Sequence, residues 1–173
     1  MSYIEKENLH MWVKGNPLQE AFLRTPTPLF DFSSSRKEDR EELIAHMEKM
    51  MRTHYGVGLS ANQIGLPLRV FIARLPGSGR SRYQGPLYVV FNPSFSHTSF
   101  LKEWGEEGCL SIPGVYGEVK RYKKVTLVGQ DVSGKDIEIA ADGFLARIFQ
   151  HELDHLNGIL FTDKARNIVT RHD

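Results

Sequence analysis

The sequence predicts an α+β fold in which antiparallel β-sheets pack around a central helix, and three patterns carry that expectation. An early segment repeats apolar residues at helical spacing, a middle region alternates apolar and polar residues between turn signals, and a late segment is apolar on several sides at once. In the first, Ser35 followed by Glu38 is a capping-box pattern. Leu43, Ile44, Met47, Met50 and Met51 then recur at three- and four-residue steps until Gly56 stops the run. From Arg69 to Leu75 and from Pro86 to Phe91 the residues turn β-branched and aromatic, which predicts two strands with Pro76 to Gly85 as an exposed loop between them. Val125 and Leu127, a turn from Asp131 to Lys135 containing Gly134, and Ile137 and Ile139 read as a β-hairpin. The last helix is expected to start at Asp142 as N-cap and to end at Asn157, with Gly158 as its stop. Its apolar residues cover several faces, so it belongs at the centre.

A chain of 173 residues can bury a real core alone, and a single domain spanning 1–173 is expected. With 22 basic against 21 acidic residues the net charge is +1, so a large nucleic-acid-binding face is not implied and a small or peptidic substrate is. Cys109 is the single cysteine, which excludes an intrachain disulfide and suits a reducing compartment. Met1 to Gly15 mixes Glu5, Lys6 and Glu7 with scattered apolar residues and lacks a signal-peptide core. No apolar run of about 18 residues exists, so no membrane span is expected and the predicted location is cytoplasmic.

Chemistry enters at residues 150 to 158, Gln-His-Glu-Leu-Asp-His-Leu-Asn-Gly, where His151, Glu152 and His155 form HExxH. On a helix the two imidazoles share a face and can hold one metal ion, with Glu152 beside them as a base. A catalytic site of this kind takes three protein ligands and keeps one position open. Phe161 stands where the longer HExxH pattern has its downstream histidine, and a glutamate some twenty residues on would lie past Asp173. The third ligand therefore comes from upstream, or the motif is empty. Cys109, in Glu106-Glu107-Gly108-Cys109-Leu110-Ser111, is the strongest candidate; by itself a lone cysteine reads first as a buried structural thiol and only second as a ligand. Gly56 to Gln63, glycine-rich after a helix, is on its own a helix stop and a turn.

Taken together, these three blocks resemble the peptide deformylases, whose motifs GxGLAAxQ, EGCLS and QHExDH occur in that order. Here they stand as Gly56 to Gln63, Glu107 to Ser111 and Gln150 to His155. The resemblance implies hydrolytic removal of the N-formyl group from the initiator methionine of nascent polypeptides, with release of formate. It implies Cys109, His151 and His155 as ligands of one divalent metal ion, Fe(II) in most members, with zinc, nickel or cobalt as alternatives in purified material. Glu152 would be the general base, and the Gln63 amide with the Leu110 backbone N–H would stabilise the charge developing on the formyl oxygen. Gly58, Leu59 and Gly108 would flank the peptide backbone, while Phe144 and Ile148, on the stripe of the metal histidines, would line an apolar pocket or simply pack in the core. Glu107 and Asp154 are candidates to orient a liganding histidine through its other ring nitrogen, or else surface charges.

Ser60 and Asn62 depart from the family's usual alanine and proline, and Arg147 puts a charge on a helical turn that is usually apolar, where it would narrow or polarise the pocket mouth or reach out to solvent. The expected partners are N-formylmethionyl nascent peptides. Association with the ribosome is kept among the partners, although this sequence ends soon after Phe161 without the long C-terminal helix through which some members would dock. Three rival readings remain open: a zincin-like peptidase, an amidase for another acyl group, and a non-catalytic module with a structural metal.

Overall fold

The computed structural model describes residues 9–77 and 85–171. Three helices, α1 (Pro17–Leu23), α2 (Lys37–Thr53) and α3 (Gly143–Leu156), combine with eight strands: β1 (Gly58–Ser60), β2 (Val70–Arg74), β3 (Leu87–Thr98), β4 (Lys102–Cys109), β5 (Ile112–Tyr122), β6 (Lys124–Gln130), β7 (Asp136–Asp142) and β8 (Arg166–Thr170). Two antiparallel sheets result, one ordered β1-β2-β3-β6-β7 and the other β4-β5-β8. Helix α3 packs against strands of both, so the α+β architecture around a central helix is the observed one. No described helix is long and apolar enough to cross a membrane.

Helix α2 buries Leu43, Ile44, Met47 and Met51 against Leu59, Ile72 and Phe91, the stripe its spacing predicts. Its ends differ from expectation. The N-cap is Arg36, whose backbone N–H donates to Asp39 Oδ2 at 3.3 Å, so the Ser35–Glu38 box does not form. At the other end Tyr55, not a glycine, takes the left-handed turn with φ of 57°.

Strand β2 and the start of β3 occupy the two predicted runs, and β3 continues to Thr98 with register shifts against β6. The expected Pro76 to Gly85 loop lies largely outside the described residues. β6 and β7 form the predicted hairpin from Lys124↔Asp142 to Gln130↔Asp136. The β4–β5 hairpin, with β8 beside it, has no counterpart among the predicted strands. Its sequence explains why, since glycines and charges interrupt any clean alternation in Lys102 to Cys109.

Helix α3 is buried along nearly its whole length, Leu145, Ala146, Ile148, Phe149 and Leu156 packing with Phe71, Val90 and Leu127. Asp142 occupies the N-cap position without a capping hydrogen bond. The helix ends one residue earlier than predicted, at Leu156, with Asn157 as C-cap and Gly158 at φ of 73°. Ahead of α1, the Trp12 N–H donates to Gln63 O and the Lys14 N–H to Ser111 O, both at 2.8 Å, so one extended segment ties together the loops after β1 and after β4.

Candidate metal centre

Strand β4 ends at Cys109 and helix α3 carries His151 and His155, and these two elements bring one ligand atom from each residue within 4.8 Å of one another. Cys109 Sγ lies 3.1 Å from His155 Nε2. Donor atoms around a tetrahedral ion with such ligands stand roughly 3.3–3.6 Å apart, so a thiolate and two imidazoles at this spacing fit a small divalent ion. His151 Nδ1 is 2.9 Å from Glu107 Oε2, which leaves its Nε2 as the remaining donor; His155 Nδ1 is buried without a hydrogen-bond partner. Burial alone would raise the Cys109 thiol, but the imidazoles of His155 and His151 more than offset it and hold it at about 5. A ligand that ionises this readily suits metal capture near neutral pH.

Glu152 is buried one residue along the helix. Its Oε2 accepts a 2.7 Å hydrogen bond from Ser60 Oγ, and burial pushes its carboxyl above the ordinary range against the opposing pull of the two histidines and Ser60. Gly58 supplies the room: a Cβ there would stand 2.2 Å from Glu152 Oε1. Gln63 points its amide at the same place, Nε2 lying 3.5 Å from Cys109 Sγ and 3.1 Å from Ser111 Oγ, while its Oε1 accepts from Ser60 N at 2.9 Å. The Ser111 N–H donates to the sulfur at 3.3 Å.

These groups open into a cavity of about 530 Å³ whose walls include Gly58, Gln63, Gly108, Leu110, Phe144, Ile148, His151 and Glu152. Phe144 stands at the mouth, 49% exposed, and Ile148 is buried deeper. Leu59 is different: its side chain is fully buried in the core beneath α2 and lines no part of the cavity, because β1 turns that face inward. At Gly108 the bare backbone admits the Tyr116 ring, 2.9 Å from where a Cβ would sit.

Behind the ligands lies a buried ion network. Glu107 receives Arg121 Nε and Nη2 and Arg147 Nη1, each at 2.9 Å, in addition to His151. Asp154 contacts no histidine; Arg121 and Lys164 are its partners, because its side of α3 faces β5 and the segment before β8 rather than the ligands. It reaches the centre only through Arg121. Arg147 does not reach solvent: it is 7% exposed and belongs to the cavity lining, and its guanidinium is paired with Glu107 and with carbonyls of β4 and β5. Sequence reasoning missed Ser60, Arg121 and Arg147 as parts of this assembly. Arg147 did carry a signal, lying one helical turn before His151 on the same face. Arg121 sits in the basic run Lys120 to Lys124, which reads as a solvated strand.

Comparison with known proteins bears on the family of the chain and on its fold. The peptide deformylase of Rhodopirellula baltica is 46% identical over 118 residues, which cover 68% of this chain and 57% of that protein. The chain thus spans little more than half of that relative. The peptide deformylase of Carboxydothermus hydrogenoformans is 47% identical over 138 residues, covering 78% of this chain and 85% of the relative. A crystal structure of the Synechococcus elongatus peptide deformylase in complex with actinonin superposes with a TM-score of 0.78 at 34% identity, over 95% of this chain and 82% of that one. With the polypeptide deformylase family model matching residues 17–171, the chain belongs to that family.

Proposed function

We propose that this chain, as a single catalytic domain, removes the N-formyl group from the initiator methionine of nascent polypeptides and releases formate. The observation that carries the reading is the convergence of Cys109, His151 and the more deeply buried His155 beside the Glu152 carboxylate, with Cys109, His151 and Glu152 lining one cavity. Cys109, His151 and His155 would hold a divalent ion, Fe(II) given the thiolate and the family, which when bound supplies Lewis acidity toward water and the formyl carbonyl.

The protein groups divide the remaining work. Glu152, with its carboxyl raised by burial, takes the proton of the attacking water and delivers it to the leaving amine. Ser60 holds one carboxylate oxygen and leaves the other facing the cavity side of Gly58. As charge builds on the formyl oxygen, the Gln63 amide and the Leu110 backbone N–H donate to it; removing one such donor costs about 3 kcal/mol of transition-state stabilisation. The methionine side chain enters between Phe144 and Ile148, and the peptide backbone runs along the cavity wall that Gly58 and Gly108 line, with Glu152 and Tyr116 seated against those glycines. Newly made chains are then its partners, in the cytoplasm or in an organelle that starts its chains with formylmethionine.

The test is formate release from a formyl-Met peptide by protein prepared anaerobically with Fe(II), beside the acetyl-Met analogue. Release from the formyl peptide alone is expected. Equal turnover of the acetyl peptide would make the chain a broader amidase, and no release from fully metallated protein would overturn the assignment.

A further inference from the structure

The three candidate ligands come from two elements that share no backbone hydrogen bonding: Cys109 from the end of β4, His151 and His155 from α3. Their convergence depends on how β4 is held against the helix. Beyond the contact of Glu107 with His151, one side chain of α3 spans that gap to the β4–β5 backbone. Arg147 leaves α3 one turn before His151, and its Nη1 donates to Gly105 O at 3.2 Å, to Val119 O at 2.9 Å and to Glu107 Oε1 at 2.9 Å, while Nη2 donates to Glu103 O at 3.2 Å. Three backbone carbonyls of the β4–β5 hairpin and the carboxylate that meets His151 Nδ1 are thus fixed by one planar group.

The hairpin is shaped to receive it. A Cβ on Gly105 would lie 2.7 Å from Nη2 and 2.8 Å from Cζ, so the guanidinium occupies the space that any side chain at 105 would fill. A buried charge with every contact made is weak evidence for stability but suits a role in fixing geometry. Two of the carbonyls, those of Glu103 and Gly105, lie on β4 and the third, that of Val119, on β5, and a forked donor reaches all three where a point charge would not.

We propose that Arg147, seated over the bare backbone of Gly105, is the positioning residue that registers β4 against α3 and thereby sets the Cys109–His151–His155 triangle. The inference rests on those three residues being the metal ligands. It concerns the triangle before any peptide binds, so it is read out by metal affinity in the absence of substrate.

The experiment titrates apo-protein with Co(II) against a competing chelator, following the thiolate-to-Co(II) charge-transfer band, with circular dichroism to confirm that each variant is folded. Arg147→Met is expected to weaken Co(II) binding about tenfold or more, the scale typical of groups that orient ligands. Arg147→Lys, which keeps the charge and loses the fork, recovers less than half of that loss on a logarithmic scale. Gly105→Ala, which leaves Arg147 in the sequence but fills its seat, reproduces the weakening. The double variant Gly105→Ala/Arg147→Met is no more than twofold weaker than the worse single, since both remove the same lock. Folded Arg147→Met with parental Co(II) affinity and an unchanged charge-transfer band overturns the proposal, as does full rescue by lysine or additive losses in the double variant. A parent protein that binds no Co(II) overturns the ligand assignment itself, a different result from a parent that binds and a variant that binds equally well.

Discussion

Replacing Gly58 by alanine adds one methyl group at the point where β1 faces the proposed base. The new Cβ would stand 2.2 Å from Glu152 Oε1, 2.8 Å from Cδ and 3.0 Å from Cγ. Ordinary contact begins at about 3.4 Å, so the carboxylate has to retreat by about 1 Å. It cannot retreat freely, because Oε2 is held by Ser60 and the carboxylate is buried. A misplacement of about 1 Å costs about a hundredfold in rate, or about 2.7 kcal/mol of barrier. Gly58 pairs with Ala73 in an ordinary extended strand, so alanine adds no backbone strain. Gly58→Ala should therefore stay folded and keep its metal while kcat for formate release falls about a hundredfold. Turnover within threefold of the parent would refute the argument that Gly58 exists to seat Glu152, and loss of metal would show that the methyl group disturbs the ligands instead.

Cys109→Ala should lose bound metal, whereas Glu152→Gln should retain it and lose hydrolysis; metal analysis beside formate release separates the two, and a metal-free Glu152→Gln or a fully loaded Cys109→Ala would break the division of roles. Ser60→Ala removes a hydrogen bond that favours the ionised form of Glu152, so the acidic limb of the pH–rate profile should move to higher pH, and an unmoved or lowered limb would count against the contact. For Glu107, burial alone would raise the carboxyl, but Arg121 and His151 more than offset it and hold it well below the ordinary 4.5. A depressed folded-state value means the ionised group contributes its full stability above 4.5 and loses it as pH falls further. Glu107→Gln, which strands two buried arginines, should cost about 3 kcal/mol in denaturant unfolding of the apo-protein at pH 7, with the gap to the parent narrowing below pH 4.5; a gap independent of pH would refute the linkage.

What the sequence made legible follows the range of the interactions involved. HExxH and the stripe of α2 are local, with spacings set by one helix, and β2 and the β6–β7 hairpin announce themselves through β-branched runs and a turn around Gly134. The β4–β5 hairpin did not, because its inward face is not apolar at the decisive positions: Glu107 and Arg121 point into the protein and satisfy each other. A pattern search treats such residues as solvated. Leu59 failed in the opposite sense, as a motif residue read for its neighbours when its own side chain is core. Arg147, expected to disturb a pocket, is silent in sequence about its acceptors, which lie more than twenty-five residues away on two strands.

The same buried charges bear on how the centre handles its metal. Glu107 and Asp154, two buried carboxylates, face Arg121, Arg147 and Lys164, so the network behind the candidate ligands sets three basic side chains against two acidic ones. A divalent cation held by Cys109, His151 and His155 would add to the basic side of that balance. Such an excess favours ionising whatever neutral acid lies closest, and in the proposed reaction that acid is the attacking water. The arginines are then more than counter-ions to Glu107. By cancelling carboxylates that would otherwise neutralise the ion, they leave its charge available to the water, while Glu152, raised by its burial, is placed to accept the proton that the water gives up.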